Sequence, residues 1–373
     1  MTELAPITPD DLDALALGCA VLGTGGGGDT GVEELAARLA LDTHGPVPLV
    51  RLTDLPADGL VLVLSSIGAP TVASEMIGSG LEAAAIRELV EEATGQKAAA
   101  VMPAEIGGAN GMATVTWAAQ LGLPLVDADG MGRAFPELQM ISMHVAGLVC
   151  SQVFLADALG NRATLKPTSS GWAERWARAL CVASGSSAVL CDYLISPADH
   201  HAVIHGTVSQ ARRIGRTIRA SARPSSSAQP GRSGGEPLPA LAETLGARVL
   251  IGGMIEDIAR DTHEGFVRGT VTIGGRGADS GREVRIGLQN ENLVASEEGQ
   301  VLAGVPDLIT VCDTATAIPL STEALTYGQR VSVLAWPCDP LWRTAAGLAV
   351  AGPAAFGYSH PYTPVETTER PAV

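Results

Sequence analysis

A chain of 373 residues and 38.1 kDa has room for two domains. With 46% hydrophobic and 17% charged residues it can bury large cores, which excludes wholesale disorder. Its 40 Asp plus Glu against 24 Lys plus Arg leave a net charge of −16, which repels phosphate backbones and anionic lipid and so argues against nucleic-acid and membrane partners. In chain order, Asp10 or Asp11 is placed to cap a helix whose apolar stripe is Leu12, Leu15, Leu17 and Val21. The glycine run 23–28 follows, then a second helix, Val32–Leu41. Short strands are predicted at Val47–Leu52 and Leu60–Leu64, the latter apolar throughout, as a strand buried on both faces should be. A helix Leu81–Thr94 ends at Gly95, a strand covers Ala98–Met102, a helix Gly111–Leu121 ends at Gly122, and a strand covers Leu123–Val126. Strands alternating with helices predict a helix-covered, mostly parallel sheet, an α/β domain.

Beyond residue 150 the pattern changes. A hairpin is predicted from Val153–Ala156 and Arg162–Lys166, then helices Trp172–Ala183 and Val208–Ala220. The Ser/Pro/Gly-rich stretch 221–239 reads as a surface loop, and helix resumes at Ala240–Leu245. The remainder is strand-like: Arg248–Ala259, Phe266–Ile273, Glu283–Leu288, Asn292–Ser296, Leu308–Asp313 and Arg330–Ala335. The predicted organisation is an α/β domain over 1–166, a β-rich domain over 167–365 and a tail over 366–373. The acidic N-terminus lacks the basic and apolar segments of a signal peptide, and no apolar run reaches the ~20 residues of a membrane span. Cys19, Cys150, Cys181, Cys191, Cys312 and Cys338 form no CxxC pair and read as reduced, buried thiols. A cytoplasmic location is the expectation.

Three predicted parallel strands run into polar turns, and ligands bind beyond the carboxyl ends of such strands. Ser66 follows the first, Glu105 and Asn110 the second, Asp127 and Asp129 the third. A helix cap is the commonest role of one acidic residue there; three such turns on one edge point to a site. Asp127 or Asp129 is a candidate general base, with the other orienting it, and Arg133 is placed to pair with a carboxylate. Glu137, Gln139 and His144 follow closely. His144 suits an acid, or joins Asp127 and Asp129 as ligands of one divalent metal such as zinc; a packed core histidine is the plainer role. The amides of Gly25, Gly26, Gly27 and Gly28, ahead of a helix, suit an anionic or carbonyl group, or else the glycines only let backbones pass closely. No strand precedes the run, which argues against a dinucleotide fingerprint. His200, His201 and His205 lack the glutamate of a zinc-protease helix. The patch Gln289–Asn292 reaches the site or forms an amide ladder.

The stretches LGTGGGGD (22–29), GAPTVASE (68–75), PAEIGGANG (103–111), LPLVDADGMGRAFPELQM (123–140), GFVRGTVTI (265–273), QNENLVA (289–295) and LITVCD (308–313) resemble the domain of unknown function 917 family, associated with S-methyl thiohydantoin desulfurase and hydantoin utilisation. The resemblance runs from about residue 9 to 365, with 221–239 as the departure. It implies an α/β domain followed by a β-rich one, and a hydrolase acting on a five-membered imidazolidinone ring. Water would attack the carbon bearing the S-methyl group, leaving a hydantoin and methanethiol. The partner is then a small cyclic molecule, with homo-oligomerisation left open. The alternative is a non-catalytic partner of a hydantoinase. The resemblance names no catalytic residues. From the turns, Asp127, Asp129, His144 and Glu105 are the catalytic candidates; Gly25–Gly28, Ser66, Asn110, Arg133, Glu137 and Gln139 are the substrate-binding ones.

Overall fold

The computed structural model describes residues 4–68, 78–222, 236–263 and 266–368. Its helices are α1 (Leu12–Leu22), α2 (Thr30–His44), α3 (Glu82–Thr94), α4 (Ala109–Leu121), α5 (Ser142–Val145), α6 (Ser170–Ala183), α7 (Thr207–Ala222), α8 (Pro237–Leu245) and α9 (Ala345–Ala351). The chain forms two compact units, Met1–Asp13 with Gly28–Ser209, and Ala14–Gly27 with Gln210–Val373.

The first unit carries β1 (Leu49–Val50), β2 (Leu60–Gly68), β3 (Ala98–Pro103), β4 (Leu125–Val126), β5 (Ala128–Asp129), β6 (Val153–Ala156), β7 (Arg162–Leu165), β8 (Ser187–Ile195) and β9 (Ile204–His205). Its main sheet has the order β1-β4-β3-β2-β8-β6-β7. The first four strands are parallel, and β8, β6 and β7 extend the sheet antiparallel. Leu60 to Leu64 of β2 are all buried, as the middle of a covered sheet requires. Gly95 and Gly122 end α3 and α4 in the left-handed conformation at φ 70° and 63°, a position that costs glycine nothing. The hairpin expected at 153–166 is present as β6 and β7.

The division expected at 166/167 differs from these units. Residues 167–209 belong to the first one because β8 hydrogen-bonds along β2 from Ile195 to Ser187. A β-bulge interrupts that pairing: Val63 faces Tyr193 and Leu64 faces Cys191, so Asp192 has no opposite residue.

The second unit is built on β10 (Arg248–His263), β11 (Phe266–Gly275), β12 (Glu283–Gln289), β13 (Glu291–Glu297), β14 (Gln300–Gly304), β15 (Leu308–Asp313) and β16 (Arg330–Trp336). They form one antiparallel sheet, β14-β13-β12-β11-β10-β16-β15. Along β12 the alternation is plain: Val284, Ile286 and Leu288 enter the core while Glu283 and Arg285 stay out. In the same unit α1 and α7 touch backbone to backbone. A Cβ on Gly18 would lie 1.8 Å from the Ala211 carbonyl oxygen, and one on Gly215 1.7 Å from that of Ala14. All six cysteines are buried and unbridged. Among the described residues no helix is long and apolar enough to cross a membrane. Most of the Ser/Pro/Gly stretch, 223–235, and residues 69–75 of the GAPTVASE block lie outside the described residues.

Candidate active site

The polar residues gather beyond the carboxyl ends of β2, β3 and β4. Leaving β3, the Ala104 amide donates to the Leu64 carbonyl at 2.9 Å, which directs the next residue, Glu105, inward. Glu105 is 4% exposed. One of its oxygens accepts from Asn110 Nδ2 at 3.1 Å and the other from the Phe135 amide at 3.0 Å. Asn110, in the first turn of α4, accepts from the Ser66 amide at 2.7 Å, so β2 sets the orientation of its side chain. Ser66 is exposed and Asn110 half-buried, so the cluster meets solvent at their edge.

Asp129, wholly buried in β5, accepts three backbone N–H groups on one oxygen: Ile106 at 2.9 Å, Met131 at 3.1 Å and Gly132 at 2.8 Å. Gly130 between them has no room for a side chain, since a Cβ would lie 2.4 Å from Ile141. Arg133 is buried, donates from Nε to the Ala134 carbonyl at 3.0 Å and stacks its guanidinium 4.8 Å from the centre of the Phe135 ring.

Burial dominates the proton affinity of both carboxyls. Glu105 is pushed up to about 8: burial is the largest cause, Asn110 and the Phe135 amide oppose it, the Asp129 charge adds to it and Arg133 counters. Asp129 is pushed up to about 7 by burial, against the amides of Gly132, Ile106 and Met131 and the Thr207 hydroxyl. Both carboxyls therefore keep their protons to higher pH than an exposed acid does.

The other candidates are placed differently. Asp127 serves α7: it accepts from the Ser209 amide at 2.9 Å and the Ser209 hydroxyl at 2.7 Å, the service an N-cap side chain gives and Gly206 cannot. His144 on α5 has its Nδ1 3.2 Å from the Ser170 hydroxyl of α6. Among the described residues no group of three His, Cys, Asp or Glu is arranged to hold a metal ion, which corrects the expected set of Asp127, Asp129 and His144. Glu137 and Gln139 bond to each other. His205 bonds through its ring to the His200 carbonyl at 2.8 Å.

The glycine run straddles the boundary between the units, and Gly25 and Gly26 have close neighbours within the second one. Helix α2 begins at Thr30, and Asp29 already caps it through the Gly31 amide at 2.9 Å. The Gly26 amide donates to Gly23 at 2.8 Å. Within the second unit the loop is bonded to β13 and Thr322: the Asn292 amide donates to Thr24 and the Thr322 amide to Gly25, both at 2.8 Å. A Cβ on Gly25 would meet Asn292 Nδ2 at 2.8 Å, and one on Gly26 would meet Glu291 Oε1 at 2.2 Å. The patch 289–292 is therefore the wall against which the glycines pack. Gly28, in the first unit at φ 82°, has Ala109 Cβ 3.3 Å from its own Cβ position.

Two features had little or no sequence signal. The Phe135 amide is backbone and invisible in any residue pattern. Asp192, at the bulge of β8, is 3% exposed and pushed up to about 7 by burial, with the Glu174 charge adding. Its only mark in the sequence is one acid inside the apolar run SAVLCDYLI.

A parallel α/β unit with buried carboxyls at its strand ends, followed by an antiparallel β unit, defines the class of protein. The chain belongs to the S-Me-THD-like family: the model of that family's N-terminal domain matches residues 10–167 and that of its C-terminal domain residues 168–365. No curated protein matches it. A structural-genomics crystal structure of a protein from Chromobacterium violaceum has a similar fold, with 24% identity over 97% of this chain and 100% of that one and a TM-score of 0.77. At that identity the likeness shows the fold alone.

Proposed function

We propose that the protein is a hydrolase that converts an S-methyl thiohydantoin to the hydantoin and methanethiol. The observation that carries this reading is the Glu105–Asp129 pair, buried beyond the strand ends with affinities of about 8 and about 7. Family membership supplies the ring chemistry. Asp129 in its ionised form takes a proton from water as the oxygen adds to the carbon bearing sulfur. Glu105, protonated at neutral pH, gives its proton to the ring nitrogen, which relieves the charge that builds there. When the carbon–sulfur bond breaks, the proton held on Asp129 leaves with methanethiol, and the hydroxyl proton of the adduct passes to Glu105 as the carbonyl forms, which restores both groups. Ser66 and Asn110, at the solvent edge, are the groups placed to meet the ring. A cytoplasmic setting, a small cyclic substrate and self-association belong to the same proposal.

A second reading, a non-catalytic partner of a hydantoinase, draws on the three amides that Asp129 accepts, a bonding pattern typical of a carboxylate that only holds a turn. Thiol-trapping assays on purified protein with S-methyl thiohydantoins separate the two. Equimolar methanethiol and hydantoin are expected; no release above the uncatalysed rate would overturn the enzymatic reading.

A further inference from the structure

The Phe135 amide reaches Glu105 from a segment, residues 134–140, that has little regular structure of its own. Helix α6 grips this segment on the far side of Phe135. Glu174 accepts from the Leu138 amide at 3.1 Å, and Arg178 donates to the Pro136 carbonyl at 3.3 Å. The two side chains, one turn apart, form an ion pair with each other, and Glu174 is buried. One helix thus holds both a carbonyl and an amide of this segment, on either side of Glu137, with side chains already locked together. We propose that Glu174 and Arg178 are positioning residues of the active site: through Pro136 and Leu138 they hold the Phe135 amide on Glu105. The proposal rests on the reading of Glu105 as a reacting group.

The pair works through backbone, and that separates it from an ordinary helix ion pair. In the charge-swapped double variant Glu174→Arg/Arg178→Glu the ion pair can re-form. Arginine at 174 cannot accept from the Leu138 amide, and glutamate at 178 cannot donate to the Pro136 carbonyl. The groups facing Glu105 are Asn110 from α4, Asp129 from β5, and Arg133 and the Phe135 amide from the following segment. Those facing Glu174 are Arg178 and Cys181 on its own helix, the Leu138 amide, and Asp192 from β8. Of these contacts, the Phe135 amide favours ionised Glu105, so releasing it raises the pH at which Glu105 titrates.

The test is infrared difference titration of the whole protein, following the protonated-carboxyl band that Glu105→Gln removes. Glu174→Leu and the charge-swapped variant should both move the midpoint of that band upward by roughly one pH unit. Arg87→Leu, which breaks the Arg87–Glu91 pair on α3, should leave it in place. A wild-type midpoint in Glu174→Leu, or its restoration by the swap, would overturn the proposal. Should Glu174→Leu fail to fold, Arg178→Met carries the same readout, with an upward shift expected and an unchanged midpoint against it. Absence of methanethiol release from the wild type would overturn the proposed reaction while leaving this titration readable, so the two failures are distinct.

Discussion

Asp127 and Asp129 stand two residues apart and do different work. Asp127 gives both oxygens to Ser209 at the start of α7, whereas Asp129 gives one oxygen to three amides and keeps the other out of hydrogen bonds. Glu105→Gln and Asp129→Asn should each lower methanethiol release by about 10²–10⁴, the usual cost of a lost acid or base, in proteins that still fold. Asp127→Ala should instead cost about 1–2 kcal/mol of stability, as a lost cap does, and leave turnover within a few-fold. Chemical denaturation and the thiol assay, run on the same samples, decide this; a large loss of turnover in Asp127→Ala would return that residue to the chemistry. Turnover needs Asp129 ionised and Glu105 protonated, so kcat/KM should peak in a narrow band between about pH 7 and about pH 8. A flat profile from pH 6 to 9 would remove the pair from the mechanism.

At the scale of elements, glycine decides what can approach what. The run 23–28 carries the strongest local signal in the sequence, and in the structure Gly25 and Gly26 let the loop lie against Asn292 and Glu291. Gly26→Ala should therefore lower stability by about 1–3 kcal/mol, the range for overpacking a full site, with KM changing less than the melting temperature. This reverses the ranking that an anion cradle would give. Gly215→Ala should be worse, because the obstacle is the Ala14 carbonyl rather than a side chain that can turn aside. Thermal melts of the two variants and the KM of Gly26→Ala check both statements; an unchanged melting temperature in Gly215→Ala would mean that α1 and α7 separate readily. Strand β8 shows the limit of local reading. Its run is apolar enough for a strand, yet only pairing with β2 makes it the bridge from the parallel strands to β6 and β7.

For the whole molecule, buried acids tie stability to pH. Glu105, Asp129 and Asp192 hold protons in the folded state up to about pH 8, about pH 7 and about pH 7, from ordinary values of 4.5, 3.8 and 3.8. Between those limits the folded chain binds more protons than the unfolded one, so unfolding free energy falls as pH rises. The contribution of each group is fully present below its ordinary value and is lost as pH climbs through the raised one. Denaturant titrations from pH 5 to 9 should show stability declining up to about pH 8 and levelling above it, with a shallower decline in Glu105→Gln. A rise in stability over the same range would contradict the burial of these acids.

Composition and periodicity, by themselves, were enough for the α/β unit followed by a β-rich one, the glycine stops of α3 and α4, the 153–166 hairpin and the three polar turns at strand ends. These depend on neighbours within a few residues, where backbone preference and hydrophobic spacing act directly. Family membership was legible too, because long blocks such as 123–140 carry it. Only the tertiary structure decided which carboxylates meet. Glu105 finds Asn110 and the Phe135 amide, Asp129 finds three amides, Asp127 leaves for α7, and residues 167–209 complete the first sheet. The physical reason is that a carboxyl's proton affinity and role are set by burial and by partners far away in the chain, as Ser209 is 82 residues from Asp127. No window of local sequence contains those partners.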